Sequence, residues 1–188
     1  MLRAMEFEGE APELAEEIDG ASSVYKRRVA REPLARHVHY DFVVHSKVED
    51  TYLVIADVED YLSWMPYCTS GTKLDGNPEN FSCVVGFGID AGGFFGTIGD
   101  DVRYDMIVQH PENGVARVKA VGLPSKYADE LIYDWKFSKA GDGTHTRVEL
   151  NVFFLAKARM MISIWEVMKA QILGGMVDAF HGRIRKIG

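Results

Sequence analysis

The sequence predicts an α+β domain in which one strongly bent antiparallel sheet of about seven strands wraps around a long C-terminal helix. Two observations carry this prediction. Residues 156–186 place apolar side chains at steps of three and four, the spacing of one helix face about eight turns long. Residues 37–155 mostly alternate apolar and polar side chains, the period of half-buried strands. Two short helices are predicted after the first strand.

Residues 1–34 form an extension ahead of the domain at residues 35–188. The first twenty residues hold seven acidic side chains and one basic one, and so carry most of the formal net charge of -7. Residues 12–18 predict a short helix that Gly20 ends. Four basic residues within 24–34 then reverse the charge. Such an arm fits a solvated or loosely docked tail, or a docking segment for a partner protein or an anionic membrane surface.

The first strand is predicted at residues 37–46, where side chains alternate between an apolar and a polar face. The polar face carries His37, His39 and His45. No cysteine or carboxylate set at ligand spacing accompanies these histidines, so they do not indicate a metal site.

The two short helices follow this strand. Residues 49–57 predict the first, with Ser46 as N-cap and Glu49 three residues later, as in a capping box. Residues 58–64 predict a second helical turn, which ends before Pro66 because the residue ahead of a proline disfavours the helical region.

Six further strands are separated by turns rich in glycine, proline or asparagine. They are predicted at residues 69–74, 81–89, 95–110 and 115–121, and around residues 131–137 and 148–154. Glu130 and Asp134 fall on the strand face opposite Tyr133 and Trp135, and we expect both carboxylates to be exposed.

Composition excludes several classes of protein. The domain is nearly neutral apart from the acidic extension, which argues against nucleic acid as the main partner. Cys68 and Cys83 supply neither a disulfide framework nor a zinc motif, so a reducing compartment is expected. We expect no transmembrane run or signal peptide, and the acidic start is unlike a transit peptide.

Catalytic motifs are weak in this sequence. Residues 86–91 match GxGxxA, but the pattern continues into a hairpin instead of opening a helix, which argues against dinucleotide binding. There is no GxSxG motif. Asp100 is in phase with the apolar face of its strand, and two interpretations stay open. It is either a buried acid or base, with Tyr104 and Tyr133 as alternative acid–base groups, or part of a solvated bulge.

Aromatic and methionine side chains dominate the predicted inner surface. They would either fill a core or line an adaptable pocket for a lipid or isoprenoid guest. The residues of this surface that we assign to ligand binding are Trp64, Phe94, Phe95, Tyr104, Trp135, Phe154, Met161, Trp165 and Met168, together with the aliphatic Ile172.

Residues 57–70, with the sequence DVEDYLSWMPYCTS, resemble the signature of the coenzyme Q-binding protein family, a branch of the START and polyketide cyclase superfamily. Residues 85–87 (VGF) resemble a second family motif. Leu131 with Trp135 and Phe137, and Ala179-Phe180 with Arg183, resemble two more. The resemblance runs from His37 to the end of the chain.

This resemblance implies a helix-grip fold with a tunnel, and binding of ubiquinone or a related polyprenyl lipid in support of quinone synthesis and respiratory electron transfer. It implies neither catalysis nor a cofactor other than the bound lipid. It places the protein on the matrix side of the mitochondrial inner membrane, with a plastid or the bacterial cytoplasm as alternatives. The residues that it assigns to the cavity are Tyr61, Met65, Pro66, Tyr67, Cys68 and Phe87.

The sequence also departs from the family pattern, with Trp64-Met65 in place of Phe-Leu and Tyr67 in place of Trp. Two other hypotheses therefore remain open in addition to the quinone carrier. One is a structural accessory subunit of a larger respiratory membrane complex, to which the extension would bind. The other is a cyclase/dehydrase-type enzyme. For the carrier, the excess of four positive charges on the last helix suits anionic lipid head groups.

Overall fold

The computed structural model describes residues 12–90, 97–141 and 143–187. These residues form one sheet with helices on both of its faces. The strands are β1 (Ala35–Val44), β2 (Cys68–Gly76), β3 (Asn80–Asp90), β4 (Thr97–Glu112), β5 (Val115–Gly122), β6 (Ala128–Lys139) and β7 (Thr146–Ala156). The helices are α1 (Pro12–Arg31), α2 (Val48–Thr51), α3 (Leu53–Ala56), α4 (Tyr61–Trp64) and α5 (Arg159–Ile187), with a 3₁₀ turn at Val58–Asp60.

The seven strands are antiparallel and lie in the order β1-β7-β6-β5-β4-β3-β2. Strands β2 to β7 form a meander because each pairs with the next strand along the chain. The helical segment between β1 and β2 carries the chain from one edge of the sheet to the other. This arrangement confirms the predicted fold class, including the long C-terminal helix and the short helices after the first strand.

The C-terminal part of α5 packs directly on the inner face of the sheet. Phe180 is fully buried, and its ring centroid lies 5.6 Å from that of Trp135 on β6. Leu173 and Ile184 are buried on the same helix. In β7, the inward side chains at Val148, Leu150 and Val152 have no exposed surface. This end of the domain is therefore a close-packed core.

Helix α5 is bent by 48° between its arms, Arg159–Val167 and Lys169–Ile187. In the described ranges, no single helix has the length and apolar character needed to cross a membrane. The two arms of α5 meet that criterion only when they are taken together.

Helix α1 corrects the prediction for the extension. The helix continues through Gly20 to Arg31 and is not ended by that glycine. Tyr25 is only 5% exposed and stacks on Phe153 of β7, with ring centroids 5.6 Å apart. Arg28 forms an ion pair with Glu130 at 2.7 Å. Such docking contacts offset the helix cost of about 1 kcal/mol for one glycine, so this part of the extension is not a solvated tail.

The prediction that Asp134 is exposed is also wrong, because α1 covers that part of the outer face. Asp134 is 1% exposed. Its carboxylate accepts two hydrogen bonds from Arg117, at 2.7 and 2.5 Å, and one from the Tyr25 hydroxyl at 3.2 Å. The strand face was assigned correctly, but strand periodicity does not reveal whether a polar face meets solvent or another element.

The predicted capping box is absent at the first short helix. Lys47 takes the N-cap position and makes no side-chain capping bond, while the predicted single helix at residues 49–57 is divided into α2 and α3. Ser46 instead uses its carbonyl oxygen to accept a hydrogen bond of 2.7 Å from the Thr146 hydroxyl. The start of β7 therefore fixes the chain at the point where the helical segment begins.

We predict that Tyr25→Ala lowers the free energy of unfolding by about 3 kcal/mol, because it removes a buried aromatic ring and one hydrogen bond to Asp134. Urea denaturation followed by circular dichroism measures the change. Arg27→Ala is the matched control, since Arg27 is exposed on the same helix. Equal stability of the two variants would show that α1 does not hold the sheet.

Candidate ligand-binding cavity

A partly open cavity of about 190 Å³ lies between the sheet's inner face and α5. Strands β3, β4 and β6 supply most of the strand residues in its wall, and both arms of α5 contribute to the opposite side. Cavities of about 150 Å³ with apolar walls hold a benzene molecule. The enclosed space therefore accepts a guest of about one six-membered ring with small substituents.

The structure brings together twelve of the sixteen side chains that the sequence assigned to ligand binding. They line this one cavity: Tyr61, Met65, Pro66, Tyr67, Cys68, Phe87, Tyr104, Trp135, Phe154, Met161, Trp165 and Ile172. Their contact with a ligand stays a prediction. Trp64 is not a lining residue, because its ring packs on Phe180, with centroids 6.2 Å apart. Phe94, Phe95 and the Met168 side chain lie outside the described residues.

Several lining residues were not assigned to the site from the sequence. Val85 shares the strand phase of Phe87, and Tyr133 shares that of Trp135, so periodicity would have found both. Ala120 follows the same alternation, because it is paired with Tyr133 across β5 and β6. Ser125 lies between these two strands and has no periodic signal.

The segment that joins α4 to β2 forms one edge of the cavity. Tyr67 has a φ of 64°, a left-handed conformation that a non-glycine residue adopts at a cost. Its hydroxyl accepts a hydrogen bond of 3.0 Å from the Gln171 side chain on α5. Its carbonyl oxygen accepts a bond of 2.9 Å from the Gly88 amide on β3. These two bonds hold the segment between the helix and the sheet.

Cys68 is the half-buried thiol of the cavity wall. Its sulfur donates a hydrogen bond of 3.2 Å to the Ser70 carbonyl oxygen. Burial raises the pKa of this thiol. Because the thiolate is the nucleophilic form of cysteine, Cys68 is not activated for covalent chemistry at neutral pH.

Asp100 lies in regular register opposite Phe87, without a bulge, and so shares the inner face of the sheet. It is half-buried, and its carboxylate accepts a hydrogen bond of 3.1 Å from the Asp101 backbone amide. Asp100 does not line the cavity. A carboxylate therefore lies on the same face of the sheet as Phe87, outside the cavity lining.

The comparisons with known proteins agree with this architecture. Residues 44–181 match the polyketide cyclase/dehydrase and lipid transport family. The chain belongs to this family. No curated protein matches the sequence significantly.

Solved structures with the same fold have diverged widely in sequence from this chain. The Zhui aromatase/cyclase from a Streptomyces species aligns with a TM-score of 0.63 at 14% identity, over 81% of this chain and 94% of the other. A STAR-related lipid transfer protein fragment from Xanthomonas axonopodis aligns with a TM-score of 0.61 at 14% identity, over 82% and 88%. A START superfamily protein from Mycobacterium smegmatis gives 0.58 at 14% identity, over 81% and 99%.

At such identities these structures establish the fold alone. They include an aromatase/cyclase and a lipid transfer protein, so membership of the family is compatible with catalysis and with lipid transport. Neither the family match nor these structures single out the coenzyme Q-binding branch, and that assignment stays a prediction.

Proposed function

We propose that this protein binds a neutral lipid of the polyprenyl quinone class in its cavity and carries it without chemical conversion. The observation that carries the proposal is the chemistry of the cavity wall. Its described lining contains no acidic, basic or histidine side chain. An apolar wall favours an uncharged guest, since an isolated charge in such a space is strongly destabilised.

The size of the cavity defines which part of the lipid it would hold. The enclosed space of about 190 Å³ accepts a ring-sized head group and not a complete polyprenyl tail. The tail would leave through the open part of the cavity. Each buried CH₂ contributes about 0.8 kcal/mol, so even the first isoprene units on this path would add substantially to binding.

The surface at the start of α5 supports exchange of such a lipid with a membrane. Met160 and Val167 are large apolar side chains with 61% and 79% of their surface exposed. Lys157 and Arg159 are exposed beside them. Apolar side chains that insert, next to cations that meet anionic head groups, are the features of a peripheral membrane contact. The sequence resemblance supports an inner mitochondrial membrane as that surface.

Two cations that we counted toward the membrane-facing charge of α5 are engaged in ion pairs. Lys169 contacts Glu166 at 2.6 Å, and Arg183 contacts Asp60 at 2.6 Å. Lys157 and Arg159 are exposed at the first turn, next to the apolar pair, and they form the basic part of the proposed contact.

Cavity-filling variants test the proposal. We predict that Ala120→Phe abolishes binding of decyl-substituted ubiquinone, measured as quenching of tryptophan fluorescence, because the new ring occupies the head-group space. Trp135 and Trp165 in the wall provide the signal. Lys119→Phe is the matched control, as the preceding residue faces the other side of β5. Quinone binding that is equal in both variants, or absent in the unaltered protein, would contradict the proposal.

A separate variant tests the membrane contact. We predict that Val167→Glu reduces co-sedimentation with vesicles of phosphatidylcholine and cardiolipin about tenfold, because the carboxylate is repelled by anionic lipid and does not insert. Leu74→Glu is the matched control, since Leu74 is 49% exposed on β2. Equal retention of both variants on the vesicles would place the membrane contact elsewhere.

A further inference from the structure

Two tyrosines on the sheet stand out within the apolar wall of the cavity. Tyr104 on β4 and Tyr133 on β6 both line the cavity, and their ring centroids are 6.3 Å apart. Strand β5 separates them and contributes only small side chains here. Gly122 is paired with Tyr104, and a Cβ on this glycine would lie 3.1 Å from the Tyr104 ring. The glycine therefore leaves the space in which the Tyr104 ring lies over β5.

The hydroxyl groups of this pair differ from those of two other tyrosines in the wall. Tyr61 donates its hydroxyl proton to the Ile55 carbonyl oxygen at 2.5 Å, and Tyr127 donates to the Gly99 carbonyl oxygen at 3.2 Å. Tyr104 and Tyr133 have no hydrogen-bond partner among the described residues. Neither hydroxyl oxygen is among the fully enclosed polar atoms of the described residues, so both reach the cavity space. A guest with an acceptor atom would take the place of water at these donors.

Both hydroxyl groups are donors at neutral pH. Burial raises the pKa of Tyr133 to about 12, and it raises the pKa of Tyr104 well above the ordinary value. A neutral phenol donates to a carbonyl oxygen, whereas its phenolate form would repel that oxygen. Since the described wall holds no cation, it offers nothing to neutralise the carboxylate of a fatty acid.

We propose that the hydroxyl groups of Tyr104 and Tyr133 donate hydrogen bonds to the carbonyl oxygen, or to two neighbouring oxygens, of a neutral ring head group. This donor pair selects such a ring and excludes fatty acids. This inference rests on the proposed function, because it assigns the head-group end of the same cavity. It orients the guest with its oxygen atoms against the sheet and its tail toward the first arm of α5.

The test compares three probes on the full chain by isothermal titration calorimetry: decyl-substituted ubiquinone, the same decyl-substituted ring without its two carbonyl oxygens, and dodecanoate. The unaltered protein should bind the quinone most tightly and dodecanoate least. Tyr104→Phe and Tyr133→Phe should each weaken quinone binding about fivefold, the value of one hydrogen bond. Neither variant should change the affinity for the ring without carbonyls, since both keep the aromatic ring.

Tyr40→Phe is the control, because Tyr40 is half-buried on β1 and does not line the cavity, and it should leave quinone affinity unchanged. Equal affinity of the quinone and the carbonyl-free ring, in the unaltered protein and both variants, would overturn the donor pair and leave the carrier function standing. Tighter binding of dodecanoate than of quinone would also overturn it. Failure of the unaltered protein to bind either ring would overturn the carrier function and the donor pair together.

Discussion

The two aromatic contacts that hold α5 above the sheet determine the rest of this structure. At the C-terminal end, Phe180 is buried against Trp135 and closes the core. At the other end, Trp165 stacks on Phe154, with ring centroids 4.7 Å apart and planes only 10° from parallel. The helix spans the interval between these contacts and bends within it. Because both ends are fixed, that interval remains a cavity.

The sheet beneath this interval has side chains that preserve the space. Strand β5 crosses the middle of the inner face, and its inward residues include Ala116, Ala120 and Gly122. Larger side chains on this one strand would close the gap between β4 and β6. A ring of about benzene size fits the volume that remains, and the described residues that line it are uncharged. The geometry that holds α5 away from the sheet and the chemistry of the wall therefore favour the same class of guest.

Periodicity was sufficient to predict the sheet and the terminal helix, and with the family resemblance it predicted part of the cavity wall, because the inner face of each strand follows the alternation of its side chains. It was not sufficient where a second element covers the outer face. Asp134 lies on the outward side, as predicted, yet α1 buries it through Tyr25. Trp64 was assigned to the cavity as an aromatic residue of the predicted inner surface, but its ring packs on Phe180. Both errors concern tertiary contacts, which a local pattern does not encode.

The most direct test of the account is native mass spectrometry of the purified full chain, with organic extraction of the same sample. If the interval under α5 holds a neutral quinone-type lipid, the spectrum shows a mass above that of the chain alone, and the extract contains a carbonyl-bearing prenyl lipid at close to one per chain. Protein that stays at its own mass, and takes up no quinone when the quinone is added in excess, would contradict the account.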